Sequence, residues 1–151
     1  MVGAAMSQRK LPKGWRWIKL GEVVSTQPGT NEFTKSDYVH SGYPAYSAAG
    51  PDGFLRTARH SGSAIILSSI GAQCGKCFFA SGQWTAIANT QIFWPKRSIV
   101  PEFLFYLLNH SFEWPRAGSA QPFVKLSEAK ERQIPLPPLP VQERIVEILQ
   151  K

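Results

Sequence analysis

Four prolines fall within the eight residues Gln133-Ile134-Pro135-Leu136-Pro137-Pro138-Leu139-Pro140. Each fixes φ near about −65°, removes an amide donor and turns the preceding residue away from the α region, so the stretch is extended and no helix crosses it. The last eleven residues have the opposite character. Val141, Ile145, Ile148 and Leu149 recur at helical spacing, with Glu143 and Glu147 set among charges one turn away, which predicts a helix over Val141–Lys151. So short a helix is marginal by itself. The expectation is either a trimmed piece of a longer protein or a chain whose partner continues the packing.

Upstream, a basic leader over residues 1–10 gives way to Leu11-Pro12-Lys13-Gly14-Trp15, where a domain spanning residues 11–140 opens. Trp15, Trp17, Ile18 and Leu20 suit a short strand or tight turn; Leu11, Trp15 and Trp17 either enter the core or cap it. Residues 25–62 are rich in Gly, Ser, Thr, Asn, Asp and Pro and predict loops and short strands, with Tyr43–Ser47 the best strand among them. Ala64-Ile65-Ile66-Leu67, in a nearly continuous apolar run closed by Gly71, reads as a buried strand. Cys77–Ala80 returns as a hairpin after a Gly-containing turn, and Trp84–Ala88 and Thr90–Trp94 continue the β pattern until Pro95. Pro101–Asn109 reverses it: Pro at a first helical position and apolar residues on one face predict a helix. Ser127–Lys130 adds a helical turn. The class is α/β of the α+β type, a small, mixed or antiparallel β-rich domain with few helices.

The 17 Lys and Arg against 10 Asp and Glu leave a formal charge of +7, which favours a polyanionic partner. The surplus is local. Arg9, Lys10, Lys13, Arg16 and Lys19 face only Glu22 before residue 25, and Lys76, Lys96 and Arg97 are unopposed between Ser61 and Val100. Elsewhere the counts balance. No apolar run approaches a membrane span and no signal-peptide core opens the chain, so the expected location is cytoplasmic. Cys74 and Cys77 form a lone C-x-x-C without the second pair or His cluster of a zinc site, and predict structural thiols rather than a metal centre.

Ile134-Pro135-Leu136-Pro137-Pro138-Leu139, with Gln142-Glu143-Arg144-Ile145-Val146 after it, resembles the junction between a target-recognition domain and the long helix of Type I restriction-modification specificity subunits. Further similar features occur in order along nearly the whole chain. They are Leu11-Pro12 with Gly14-Trp15, Leu20-Gly21-Glu22-Val23, Tyr43–Ser47 before Gly50 and Gly53, Gly71 with Gly75, and Gly118-Ser119-Ala120-Gln121-Pro122. The resemblance implies a domain that reads one half of a split duplex DNA sequence and is not itself a catalyst. It further implies an adenine methyltransferase subunit as partner, carrying the S-adenosylmethionine, and a restriction subunit reached through it. No cofactor is expected on this chain. The family's full-length subunit has two such domains and helical spacers; one domain alone implies an excised domain, a half-length subunit that self-associates, or part of a fused enzyme.

In such a family, DNA contacts come from loops on one face. Asn31, Lys35, Ser36, Asp37, Tyr38, His40, Arg56, Arg59 and His60 offer suitable groups, Arg for guanine and Asn for adenine. Each taken alone is also well read as a solvated loop residue. Lys76, in the turn Gly71–Lys76, is placed for a phosphate or is simply at a hairpin tip. Ser119 and Gln121, flanked by Arg116 and Lys125, suit backbone clamping or base reading, whereas Asn89-Thr90-Gln91 more naturally satisfies a strand end. Val141, Ile145 and Leu149 form a domain-closing stripe or, as the resemblance implies, a helix-pairing seam between subunits. Two rival classes stay open: a protein or carbohydrate interaction module with incidental basic patches, and a redox enzyme using the Cys pair.

Overall fold

The computed structural model describes residues 10–151. The expected basic leader lies outside them except for Lys10. In chain order the elements are β1 (Arg16–Lys19), β2 (Val24–Pro28), β3 (Tyr43–Ser47), β4 (Gly50–Leu55), β5 (His60–Ser61), β6 (Ala64–Ser68), β7 (Cys77–Ala80), β8 (Gln83–Ala86), β9 (Thr90–Pro95), α1 (Pro101–Tyr106), β10 (Arg116–Ala117), β11 (Phe123–Val124), α2 (Leu126–Glu131), β12 (Gln133–Leu136) and α3 (Leu139–Leu149).

Strand β6 lacks the polar alternation of a surface strand because both of its faces are covered. It sits inside an antiparallel sheet ordered β2-β9-β6-β7. Ile65 and Leu67 point to the helical side, where Leu20, Phe103, Leu104 and Leu108 enclose them. Ala64 and Ile66 point the other way, onto Tyr46, Trp84 and Ala86 of a second sheet. That sheet is ordered β4-β3-β8-β5, and β3 pairs with β8 in parallel while its other pairings are antiparallel. The result is a mixed α+β architecture in which helices, one sheet and a second sheet are layered. Ala45, Leu55 and Ile87 form a smaller cluster with Phe33 and Tyr38.

The proline-rich segment is extended as far as Pro138. Among the described residues its strand, β12, pairs only with β1, Trp17 standing opposite Pro135, so the missing amide falls in a two-stranded ribbon where it breaks no central ladder. The expected boundary at Val141 shifts: the helix begins at Leu139, because Pro140 occupies the first turn, where an amide has no intrahelical partner to lose. Pro95 likewise ends up inside β9, as its last residue, opposite Val24.

Two local features hold the helices. After Tyr106, α1 widens into a π-helical turn over Leu107–Ser111. Groups from elsewhere take up its backbone and side chains: the Trp114 indole donates to the Leu108 carbonyl, and Asn109 Oδ1 accepts the Cys77 amide. At the root of α3, the fully buried Gln142 accepts the Val100 amide at 2.7 Å and donates to the carbonyls of Pro137 and Ser98 at 2.9 and 3.0 Å. One side-chain amide thereby joins the terminal helix, the extended segment and the start of α1. Val146 lies beside Gln142 on the buried side of α3, Ile145 is half-buried against the core, and Ile148 and Leu149 are 53% and 52% exposed.

Candidate nucleic-acid interface

Strand register decides which loops share an end of the molecule. Ser68 is opposite Thr90, Pro28 is opposite Gln91, and the parallel strands β3 and β8 finish at Ser47 and Ala86. The loops that leave β2, β3, β6 and β8 therefore emerge together. Backbone bonds stitch them: the amides of Gly29 and Thr30 to the carbonyls of Thr90 and Ala86, Ser69 to Asn89, and Ile87 to Tyr46. The loop between β10 and β11 joins the same end through Gly71 N–H to Pro122 and Val124 N–H to Ser69. At Gly29 a Cβ would collide with the Ile87 carbonyl, so only glycine lets β2 turn into this cluster.

Between the loops runs a groove of about 370 Å³, lined among others by Phe33, Lys35, Ser47, Ser68, Gln73 and Asn89. Lys35 is anchored at its rim by an ion pair with Asp52 at 2.9 Å. Asp52 also accepts the hydroxyls of Tyr38 and Ser47, each at 2.7 Å. Burial alone would raise the Asp52 pKa, but the bonds from Ser47, Lys35 and Tyr38 outweigh it and keep the carboxylate below its usual range. Burial, then the Asp52 carboxylate, pushes the Tyr38 phenol up, so it stays protonated and works as a strut.

Asn31, Lys35, Ser36, Lys76, Ser119 and Gln121 all lie in the loops of this end. Among the described residues the side chains of Asn31, Lys76, Ser119 and Gln121 make no internal hydrogen bond or ion pair. Ser36 shares its hydroxyl with Thr34. Arg116 and Lys125 flank the last of these loops, but Arg116 Nε donates to the Cys74 carbonyl, bracing the turn below Lys76, and Lys125 pairs with Glu128 at 3.2 Å. The other nominated residues lie elsewhere or are engaged. Arg56 comes after Leu55, which pairs with Tyr43 at the far end of the β3–β4 hairpin; His40 lies near it, next to Val39, which bridges Phe54. Arg59 sets Nε and Nη2 of its guanidinium on Glu32, at 2.7 and 2.6 Å, and stacks over Phe33. That bond raises the Arg59 pKa and lowers that of Glu32. His60 packs on Trp84 and accepts the Ala86 amide through Nδ1, and burial lowers its pKa. Its sequence neighbourhood suggested a loop ligand, yet a tryptophan from a strand far along the chain claims the ring.

Gln73 and Asn89 were given no leading role by sequence reasoning, although both are exposed on the groove rim. The positive φ of Asn89, +69°, comes from a tight β8–β9 turn whose brevity is the signal the sequence does carry. The thiols of Cys74 and Cys77 are free and buried. Burial pushes the Cys77 thiol far up, which keeps it protonated and unreactive at neutral pH. Among the described residues no group of three or more His, Cys, Asp or Glu is placed to hold a metal ion, and no helix is long and apolar enough to cross a membrane.

A layered scaffold that gathers amide, hydroxyl and ammonium groups on loops at one end has the build of a loop-based recognition domain. Residues 12–151 match the model of the family described as the type I restriction modification DNA specificity domain, and the chain belongs to that family. A Haemophilus influenzae protein, provisionally described as a type I restriction enzyme specificity subunit, is 30% identical over 140 residues, covering 88% of this chain and 36% of the relative. The EcoDI specificity subunit of Escherichia coli is 26% identical over 147 residues, 95% of this chain and 32% of its own length. The chain thus spans about a third of these relatives. In fold, it superposes on the S subunit of a type I system from M. genitalium with a TM-score of 0.74 at 16% identity, covering 94% of this chain and 40% of that one. The HsdS subunit of Thermoanaerobacter tengcongensis gives 0.65 at 22% identity, over 99% and 41%.

Proposed function

We propose that this chain is a DNA target-recognition module of a type I restriction-modification system, reading one half of a split duplex sequence. The observation that carries the reading is the convergence of loops from both sheets at one end, presenting Lys35 and Lys76 beside uncharged donors and acceptors. Ammonium groups hold phosphates and set the register, while amides and hydroxyls reach base edges. In this reading the domain places an adenine methyltransferase subunit, which binds the S-adenosylmethionine, on the chosen site, and through it a restriction subunit. The chain itself performs no chemistry and works in the cytoplasm. Val141, Ile145 and Leu149, with the exposed Ile148, offer an apolar seam for a helix of a second module, in the same chain or in another copy.

The test is selection from randomised duplex DNA by this chain together with the methyltransferase subunit of its own system, at two salt concentrations. One short enriched half-site, bound less tightly at the higher salt, supports the reading. Assembly of the complex with no enriched sequence refutes it.

A further inference from the structure

The exposed tips of the loops around the groove carry a particular chemistry. Ala49 from the β3–β4 turn, Ala72 and Gln73 from the β6–β7 loop, and Ala88 and Asn89 from the β8–β9 turn line it. None is charged. The nearest cations flank these tips: Lys35 lines the rim, tethered to Asp52, and Lys76 sits at the base of its loop, where Gly75 packs beneath the Arg116 guanidinium. The floor below includes Ser68, wholly buried, whose Oγ has no hydrogen-bond partner among the described residues. A buried hydroxyl left so is costly.

We infer that Gln73 and Asn89 are specificity-determining residues that read adenine in A·T pairs of the recognised half-site, with the methyl groups of Ala72 and Ala88 against thymine. The inference rests on the DNA-recognition reading above. A primary amide is the side chain that matches adenine, donating to N7 and accepting from N6, while a thymine offers a methyl group that small apolar side chains contact favourably. Guanine would instead ask for a cation at the same place; Lys35, the cation in the groove lining, is held at the rim by Asp52, while the tips that carry Gln73 and Asn89 are uncharged. The backbone that carries each amide is held. The main-chain carbonyl of Asn89 accepts the Ser69 amide, fixing its turn against the start of the Gln73 loop, and within that loop the Lys76 amide donates to the main-chain carbonyl of Gln73 at 3.1 Å.

The experiment repeats the randomised-duplex selection with the methyltransferase complex of the full chain, using Gln73→Ala and Asn89→Gly. Glycine is chosen at 89 because it keeps the positive φ while deleting the amide. Both side chains are exposed, so thermal unfolding midpoints should stay at the wild-type value. The expected result is a consensus containing A·T pairs, with each variant losing roughly 5- to 150-fold discrimination at one of them and keeping the others. A consensus that both variants reproduce unchanged, or one made only of G·C pairs, overturns this inference and leaves the recognition reading standing. No consensus from the wild-type complex overturns both.

Discussion

Replacing Gln142 with leucine keeps the bulk of the side chain and deletes one acceptor and both donated hydrogens. Three groups then lose their partner: the Val100 amide and the Pro137 and Ser98 carbonyls. The bond to Pro137 is buried, and those to Val100 and Ser98 are part-buried, so water recovers some of the last two. At about 1–3 kcal/mol for each stranded group, less for those that water reaches, and about 1–2 kcal/mol returned by the added apolar burial, the net loss is about 2–4 kcal/mol. That is a large fraction of a domain's stability. In urea, with m near about 2 kcal/mol/M, the midpoint should fall by about 1–2 M with m unchanged. Gln142→Glu supplies an independent arm. Its carboxylate can still accept from Val100 but faces two carbonyls, so the folded state prefers the protonated acid and its pKa rises above the unfolded value. The fold then binds more protons than the unfolded chain, and stability returns as pH falls through the raised pKa. A leucine variant whose midpoint lies within about 0.3 M of wild type would refute the clamp.

Three further predictions test the interface and its surroundings. Burial holds His60 below its usual pKa, so the unfolded chain takes the proton first; stability is full above about pH 6.5 and declines below it until the folded ring itself protonates. Unfolding midpoints measured from about pH 8 to about pH 5 should show this decline, and His60→Asn, whose Oδ1 can still accept the Ala86 amide, should flatten it; coincident profiles refute the assignment. Lys76→Ala should weaken binding to every duplex alike and lower the slope of log K against log salt by about 1, whereas a change confined to one base position would make Lys76 a base reader. Because Glu32 occupies the Nε–Nη2 edge of Arg59, Glu32→Gln should release the guanidinium and raise affinity for unselected duplex DNA, and Arg59→Ala should leave the consensus unchanged; the reverse pattern in filter-binding and selection assays would restore Arg59 as a reader.

What the sequence revealed depended on how local the cause was. Prolines act on their own backbone and on the residue before them, so the extension through Pro138 was legible. The Ala64–Leu67 run betrayed a strand covered on both sides, because such a strand has no reason to alternate. The parallel pairing of β3 with β8 was not legible, since it joins segments with β4 to β7 between them. Nor was the capture of Arg59, whose partner Glu32 lies 27 residues away. On α3, helical spacing picked out Val141, Ile145 and Leu149 as a domain-closing stripe or a pairing seam but not Gln142 and Val146, the positions buried against the domain. A polar residue counts as outward in any periodicity argument until its partners are known. Gln142 stood within the junction motif that carried the family resemblance, a signal that was present without its reason.

The buried amide of Gln142 also makes α3 a pointer. Its 11 residues reach about 16 Å from a joint that also fixes the extended segment and the start of α1. A tilt of about 10° at that joint would carry the far end about 3 Å, close to a full hydrogen-bond length. In the assembly proposed above, a partner helix that gripped the exposed Ile148 and Leu149 would therefore turn the domain as a whole about that joint. The stiffness of one side-chain amide would set how closely the domain follows its partner.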